Sequence, residues 1–396
     1  MGSRDESAGF TGVTHFIEHL LFKGSSRYTA EQTAQIFDTL GGELNAATSR
    51  EYVVVYGRFL DEHLATAMDV LVDMLLTPSF TDLDREREVV LEEISMYEDS
   101  PSDLIHDVLA ETVFGDHPLG HPVLGSPQTI ANAAEADIRA YHRRHFRFSD
   151  MIVAAAGNVD HETLGALLMA EHGDPDSAGL QPAMMPASVQ PRMAFVNKET
   201  EQMHVCLGGE GLARTDERRF ILSVLDSLLG GSLSSRLFQE VREKRGLVYS
   251  IYSFSNLYRE TGLCGVYFGC RPDRLAQVTE TVTAELVRLG EELVPDDELE
   301  RAKQHLKGRM ILGLESTPSR MTRLGKAVLT GTEILSLDDL AARVDKVTAE
   351  EVLELGATLF RPEAMSMVGV GADQDVFDAV VPDGRAPAVI RIEGSQ

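Results

Sequence analysis

The stretch Gly12-Val13-Thr14-His15-Phe16-Ile17-Glu18-His19-Leu20-Leu21-Phe22 contains His-x-x-Glu-His. On a helix, residues four apart lie one above the other, so His15 and His19 project from one face and can share a single ion. Neutral imidazole binds zinc at roughly 2.0–2.1 Å, and a catalytic zinc site usually has three protein ligands and a water. Glu18 is placed to reach that water and take its proton, while the metal depresses the water's pKa towards about 7. The chemistry indicated is hydrolysis by a metal-activated water. Around these groups Val13, Phe16, Ile17, Leu20, Leu21 and Phe22 are apolar. Three ionisable side chains inside such a helix are costly unless something pairs them, which favours a metal over hydrogen-bonded core histidines.

A third ligand is expected from the helix predicted over Asp82 to Glu98, DLDREREVVLEEISMYE, with Thr81 and Asp82 at its cap. Glu92 and Glu93 compete for the role. Neighbours of Glu93 at three, four and seven residues are Val89, Val90, Met96, Tyr97 and Glu86, read as largely the buried stripe. Those of Glu92 include Arg85, Glu88 and Ser95, a more polar set. Glu93 is therefore the expected ligand and Glu92 a solvated charge. Glu86, two turns earlier on the Glu93 face, is placed to orient a histidine or the water.

The elements that carry these groups belong to a chain of 396 residues with 43% hydrophobic residues, enough for two sizeable cores. Lys plus Arg number 36 and Asp plus Glu 63, a formal charge of −27, which argues against nucleic acid as the main partner and would draw basic peptides to an acidic cavity. Cys206, Cys264 and Cys270 have no paired metal spacing and suggest neither a disulfide framework nor a cysteine zinc site. No apolar run reaches 18 residues and Met1 to Ser7 is polar, so a cytoplasmic protein without membrane association is expected.

The chain also repeats itself. AAEADIRAYHRRHFRFSDMIVAAAGN from Ala133 parallels VTAEEVLELGATLFRPEAMSMVGVGA from Val347 at a constant offset of 214, for example Phe146 to Phe360 and Gly157 to Gly371. Each copy reads as helix, turn and buried strand ending in glycine, the mark of a duplication. Between the halves, Gly173 to Arg192 holds four prolines and reads as a linker. Residues 1–172 and 193–396 are the expected domains. Helices over Leu60 to Leu76 and Asp296 to Gly313 alternate irregularly with strands at Tyr52 to Arg58, Met151 to Ala156, Met193 to Asn197 and Ser366 to Val370. An α+β fold with mostly antiparallel sheets, each covered by helices on one face, is predicted.

Other motifs are weaker. The loop Gly230-Gly231-Ser232 has no following G-K-[ST], so a phosphate cradle is disfavoured. His117 and His121 share the four-residue spacing, but Pro118, Gly120 and Pro122 argue against a helix there. His204 and His305 are the second half's histidines and form no second motif.

HFIEHLLFKG, LGGELNAATSREY and EREVVLEEISMYEDSP together resemble the pitrilysin-type (inverzincin) zinc metallopeptidases, especially bacterial members similar to the mitochondrial processing peptidase β subunit. The resemblance covers almost the whole chain. It implies His15, His19 and Glu93 as ligands of one Zn2+ per chain, Glu18 as general base and Glu86 as the family's additional glutamate. It also implies a clam-like pair of homologous α+β domains around a chamber, with the active site on the first domain. Asn45 and Ala46, in the segment Leu44 to Thr48, match an edge strand against which substrate lies extended. Arg242 and Tyr249, seven residues apart, match an Arg and a Tyr that reach from the far domain to hold the substrate and the developing oxyanion.

The expected function is therefore zinc-dependent endoproteolysis of extended peptides or unfolded segments. The competing readings are a non-catalytic subunit of a processing-peptidase-like complex and a metal-dependent hydrolase of a smaller substrate. A homodimer or a heterodimer with a related subunit would fit the resemblance. Members of the family usually have some tens of residues, including the first strands of the sheet, before the region of Gly2 to Glu6. Lacking them, the first domain is expected to be short of strands.

Overall fold

The computed structural model describes residues 1–172, 187 and 189–381. In chain order the helices are α1 (Val13–Leu21), α2 (Ala30–Thr39), α3 (Leu64–Leu76), α4 (Leu83–Glu98), α5 (Pro101–Phe114), α6 (Pro127–Asn132), α7 (Glu135–His145), α8 (His161–His172), α9 (Arg219–Leu229), α10 (Leu275–Glu291), α11 (Asp296–Gly313), α12 (Thr317–Thr330), α13 (Leu337–Asp345), α14 (Ala349–Leu359) and α15 (Gln374–Asp378). The strands are β1 (Glu43–Thr48), β2 (Val53–Arg58), β3 (Met193–Asn197), β4 (Met203–Gly211), β5 (Val248–Leu257), β6 (Gly262–Cys270) and β7 (Ser366–Gly371). None of the described helices is long and apolar enough to cross a membrane.

Two compact units form. The first comprises Met1–Met96, His121–Ala183 and Glu315–Gly331, and the second Tyr97–Gly120, Met184–Leu314 and Thr332–Gln396. This partition differs from the division at 1–172 and 193–396, because α5 of the first half belongs to the second unit and α12 of the second half to the first. The reason lies in the apolar face of α5. Leu104, Ile105, Val108, Leu109 and Val113 are buried in one cluster with Ala194, Val196, Cys206, Tyr267, Val368 and Val370 of the second unit's sheet. Most of the proline-rich stretch 173–192 lies outside the described residues.

In the second unit the sheet runs β3-β7-β4-β6-β5, with β3 and β7 parallel and the other pairs antiparallel. Every residue of β6 is buried. Residues of α9, α10, α11 and α14 pack with inward side chains of the strands into one core, while the opposite face meets α5. Both faces are thus covered, where the sequence suggested one.

In the first unit the described sheet is the antiparallel hairpin of β1 and β2, with Glu43 opposite Arg58 and Thr48 opposite Val53. Met151 to Ala156, expected as a strand, pairs with no strand among the described residues, and Ile152 and Val153 are exposed. The core is instead built from helices. Phe16, Ile17 and Leu20 of α1 are fully buried with Phe37, Val70, Met74, Val90, Ile94 and Ile138. This apolar side of α1 fixes the helix, and its other side carries the chemistry.

Candidate metal centre

The N-terminus of α1 is held by an unusual set of contacts. Gly12 occupies the cap with φ +85, in the left-handed region that favours glycine. A Cβ there would come within 2.4 Å of the Leu124 carbonyl oxygen. The buried Glu6 carboxylate accepts the Gly12 N–H and the Thr14 N–H, each at 2.7 Å, and so satisfies two amides that a helix start leaves open. Burial pushes Glu6 up to about 7 against the lowering effect of these hydrogen bonds, with the Asp5 charge adding to the rise.

From this anchored helix His15 and His19 face Glu93 of α4. His15 Nε2 lies 3.7 Å from Glu93 Oε1, and His19 Nε2 lies 3.2 Å from Glu93 Oε2. One donor atom from each residue falls within 4.8 Å of the others. Two imidazole nitrogens and a carboxylate oxygen converging from two helices are the donor chemistry of a three-ligand zinc site. Burial, and secondarily the His19 charge, lowers His15 to about 4, so it is neutral at pH 7, the form that ligates. The residues present therefore fit a single divalent cation. Among the described residues no other cluster of three His, Cys, Asp or Glu groups has this convergence.

Glu86, on the same face of α4, is buried and turns Oε1 to His19 Nδ1 at 3.0 Å. Its Oε2 pairs with Lys23 Nζ at 2.7 Å. A carboxylate on the second ring nitrogen fixes the ring and leaves Nε2 unprotonated for a metal. His15 differs, because its buried Nδ1 has no hydrogen-bond partner. Glu92 is exposed, whereas Glu93 is half-buried. The argument that separated them needs amendment: Val89 and Met96 are exposed, and the buried positions of α4 are Leu83, Glu86, Val90 and Ile94. Among the described residues no α4 amide donates to the Thr81 hydroxyl, which instead donates to the Lys23 carbonyl at 2.6 Å.

Glu18 stands between the two histidines in sequence and is half-buried. Burial raises its pKa, opposed by a hydrogen bond from the Thr48 hydroxyl to Oε2 and by the His19 charge. Asn45 and Ala46 lie on β1, whose second edge has no strand partner among the described residues. Asn45 is exposed, and its Oδ1 accepts the Ala46 N–H at 2.8 Å.

Arg242 and Tyr249 meet within the second unit. The Arg242 guanidinium lies 4.7 Å from the Phe238 ring centroid and 5.0 Å from that of Tyr249. A π-helical turn over Phe238–Glu243 presents the arginine, and an irregularity between Val248 and Ser250 leaves Tyr249 78% exposed. The glycines at 230 and 231 are no phosphate cradle. Both amides donate to the Asp226 carbonyl, and a Cβ at Gly230 would strike the Ser253 amide at 2.2 Å. His117 is spent on local structure, its Nδ1 accepting the Leu119 N–H.

Sequence reasoning missed Lys23, Glu6 and Thr48 as supports of the site. Lys23 lies two residues beyond the end of α1, and Thr48 shares the inward period-two face of β1 with Leu44 and Ala46. No local pattern marks Glu6, which acts from a turn outside α1.

Residues 1–127 match the family model described as insulinase, peptidase family M16, and residues 133–306 match the peptidase M16 inactive domain. A protein of Streptomyces coelicolor named as an uncharacterized zinc protease is 44% identical over 96% of this chain and 86% of its own length. Another so named, YmxG of Bacillus subtilis, is 38% identical over 91% of this chain and 88% of its own. Among solved structures, a peptidase M16 inactive domain from Pseudomonas fluorescens is similar with a TM-score of 0.83 at 21% identity, covering 94% of this chain and 91% of that one. A protease from Helicobacter pylori has the same TM-score at 20% identity, with the same coverage. With matches spanning both halves, the chain belongs to peptidase family M16, the pitrilysin type.

Proposed function

We propose that the chain is a zinc-dependent endopeptidase acting on extended peptides or unfolded protein segments. The observation that carries this reading is the convergence of His15, His19 and Glu93, with Glu18 on the same helix as the two histidines and within the electrostatic reach of His19 and Glu93. The names of the relatives as zinc proteases support zinc as the metal. Bound there, the ion would polarise the scissile carbonyl and lower the pKa of a water. Glu18 accepts that water's proton and delivers it to the leaving amine. Glu86 keeps His19 in the ligating tautomer. The free edge of β1 around Asn45 and Ala46 pairs with the substrate backbone, which gives affinity with little dependence on sequence. Arg242 and Tyr249 hold the substrate and the developing oxyanion. The acidic balance of the chain favours basic peptides.

A non-catalytic subunit is the second reading, prompted by the inactive-domain description of the model matching residues 133–306. That match covers mainly the half without the metal motif, and the first half keeps the three converging donors His15, His19 and Glu93 together with Glu18. A mixture of peptides incubated with the zinc-loaded protein and read by mass spectrometry tests the choice. Cleavage that a chelator stops and zinc restores is expected. Stoichiometric zinc with no cleavage would favour the non-catalytic reading.

A further inference from the structure

Strand β1 alternates exposed Glu43, Asn45 and Ala47 with half-buried Leu44, Ala46 and Thr48. The inward face therefore ends in a hydroxyl. Thr48 closes the hairpin ladder opposite Val53, and its Oγ1 donates to Glu18 Oε2 of α1. Among the described residues it is the one hydrogen-bond donor to that carboxylate, whose other oxygen, Oε1, has no such partner. A hydroxyl-to-carboxylate bond is shorter and roughly twice as strong as a neutral one. A glutamate side chain has several rotatable bonds, and misplacing a reacting group by about 1 Å can cost roughly a hundredfold in rate.

We propose that Thr48 is a positioning residue that aims the general base. Its hydroxyl fixes Oε2 of Glu18, so that Oε1 is the oxygen offered to the reacting water. The same six-residue strand that presents Asn45 and Ala46 to the substrate backbone thus sets the direction of the base. Register of the peptide and orientation of Glu18 are fixed by one element, so that a displacement of β1 moves both. The inference rests on the reading of the chain as a zinc peptidase.

Two substitutions test it. Thr48→Val keeps the size, the branched Cβ and the strand preference while deleting the donor. Thr48→Ser restores the donor. The expected result for the valine variant is a fall in kcat of about ten- to a hundredfold, with KM within about twofold. Zinc affinity, measured by competition with a chromogenic chelator, stays at the wild-type value. The serine variant should recover most of kcat. Wild-type kcat in Thr48→Val, or a loss that Thr48→Ser shares in full, overturns the proposal. Crystal structures of zinc-loaded wild type and Thr48→Val give a readout independent of turnover. Glu18 should hold one conformation on Thr48 in the first and leave it in the second, and an unmoved carboxylate contradicts the proposal. A wild-type protein that binds zinc but shows no chelator-sensitive cleavage would sink the peptidase reading instead, leaving the Glu18 conformation to decide the role of Thr48.

Discussion

His19 Nδ1 lies 3.0 Å from Glu86 Oε1, and the other oxygen of that carboxylate is held by Lys23 at 2.7 Å. The pair works as a brace that sets the ring before any metal arrives. Partners of this kind are typically worth ten- to a hundredfold in metal affinity. Glu86→Gln is therefore expected to weaken zinc binding by about that factor, with Lys23→Met causing a smaller loss. Competition titrations with a chelator of known affinity measure both, and unchanged affinity in Glu86→Gln would remove the brace from the account.

Ligand identity is separable by neighbouring substitutions on α4. His19→Ala and Glu93→Gln should each abolish the single equivalent of tightly bound zinc, because two remaining donors are fewer than the three that a catalytic zinc site holds. Glu92→Gln, one residue away and exposed, should retain it. Metal analysis after gel filtration decides, and the reverse pattern would move the ligand to Glu92.

Stability should depend on pH through Glu6. Its folded value of about 7 stands above its ordinary 4.5, so the folded protein keeps a proton that the unfolded chain has lost between those limits. The stabilising contribution is full below about pH 4.5 and is lost as pH rises through 7, a change of up to about 3 kcal/mol. Glu6→Gln removes this titration. Denaturant midpoints from pH 4.5 to 7.5 should fall with pH less steeply for the variant than for wild type, and parallel curves would contradict the assignment.

Gly12 should not tolerate a side chain. A left-handed φ and a Cβ position 2.4 Å from the Leu124 carbonyl oxygen combine strain with overlap. Gly12→Ala is expected to cost about 2 kcal/mol or more and to reduce zinc affinity, since the helix bearing both histidines must shift. Chemical denaturation and metal titration check the two effects, and a wild-type midpoint would show that the turn adapts.

Much of the architecture is legible in local pattern. Asp296–Gly313 and Met193–Asn197 form where periodicity places them. The duplication is visible in the elements themselves, since α7 and α14 begin and end 214 residues apart (349 − 135 and 359 − 145). What local pattern misses is partnership. Helices α5 and α12 are each 14 residues long and 216 apart (317 − 101), yet each belongs to the unit built mainly from the other half. An apolar helical face states that it will be buried without stating against what. Met151 to Ala156 shows the converse, an apolar run that pairs with no strand among the described residues, since an apolar pattern does not by itself supply a neighbour. In the site, the fixed geometry of a helix makes His15, Glu18 and His19 readable, and the seven-residue spacing on α4 puts Glu86 and Glu93 on one face, although Val89 and Met96, taken as the buried neighbours of Glu93, are exposed. Glu6 and Thr48 reach α1 from other segments, through tertiary contacts that no periodicity encodes.

The central claim is that Glu18 performs the proton transfer at a metal held by other residues. Its most direct test is zinc content and peptide turnover of Glu18→Gln measured on the same preparation. One full equivalent of zinc with turnover reduced at least about a hundredfold is the predicted result. Turnover equal to that of wild type, with zinc in place, would contradict the account.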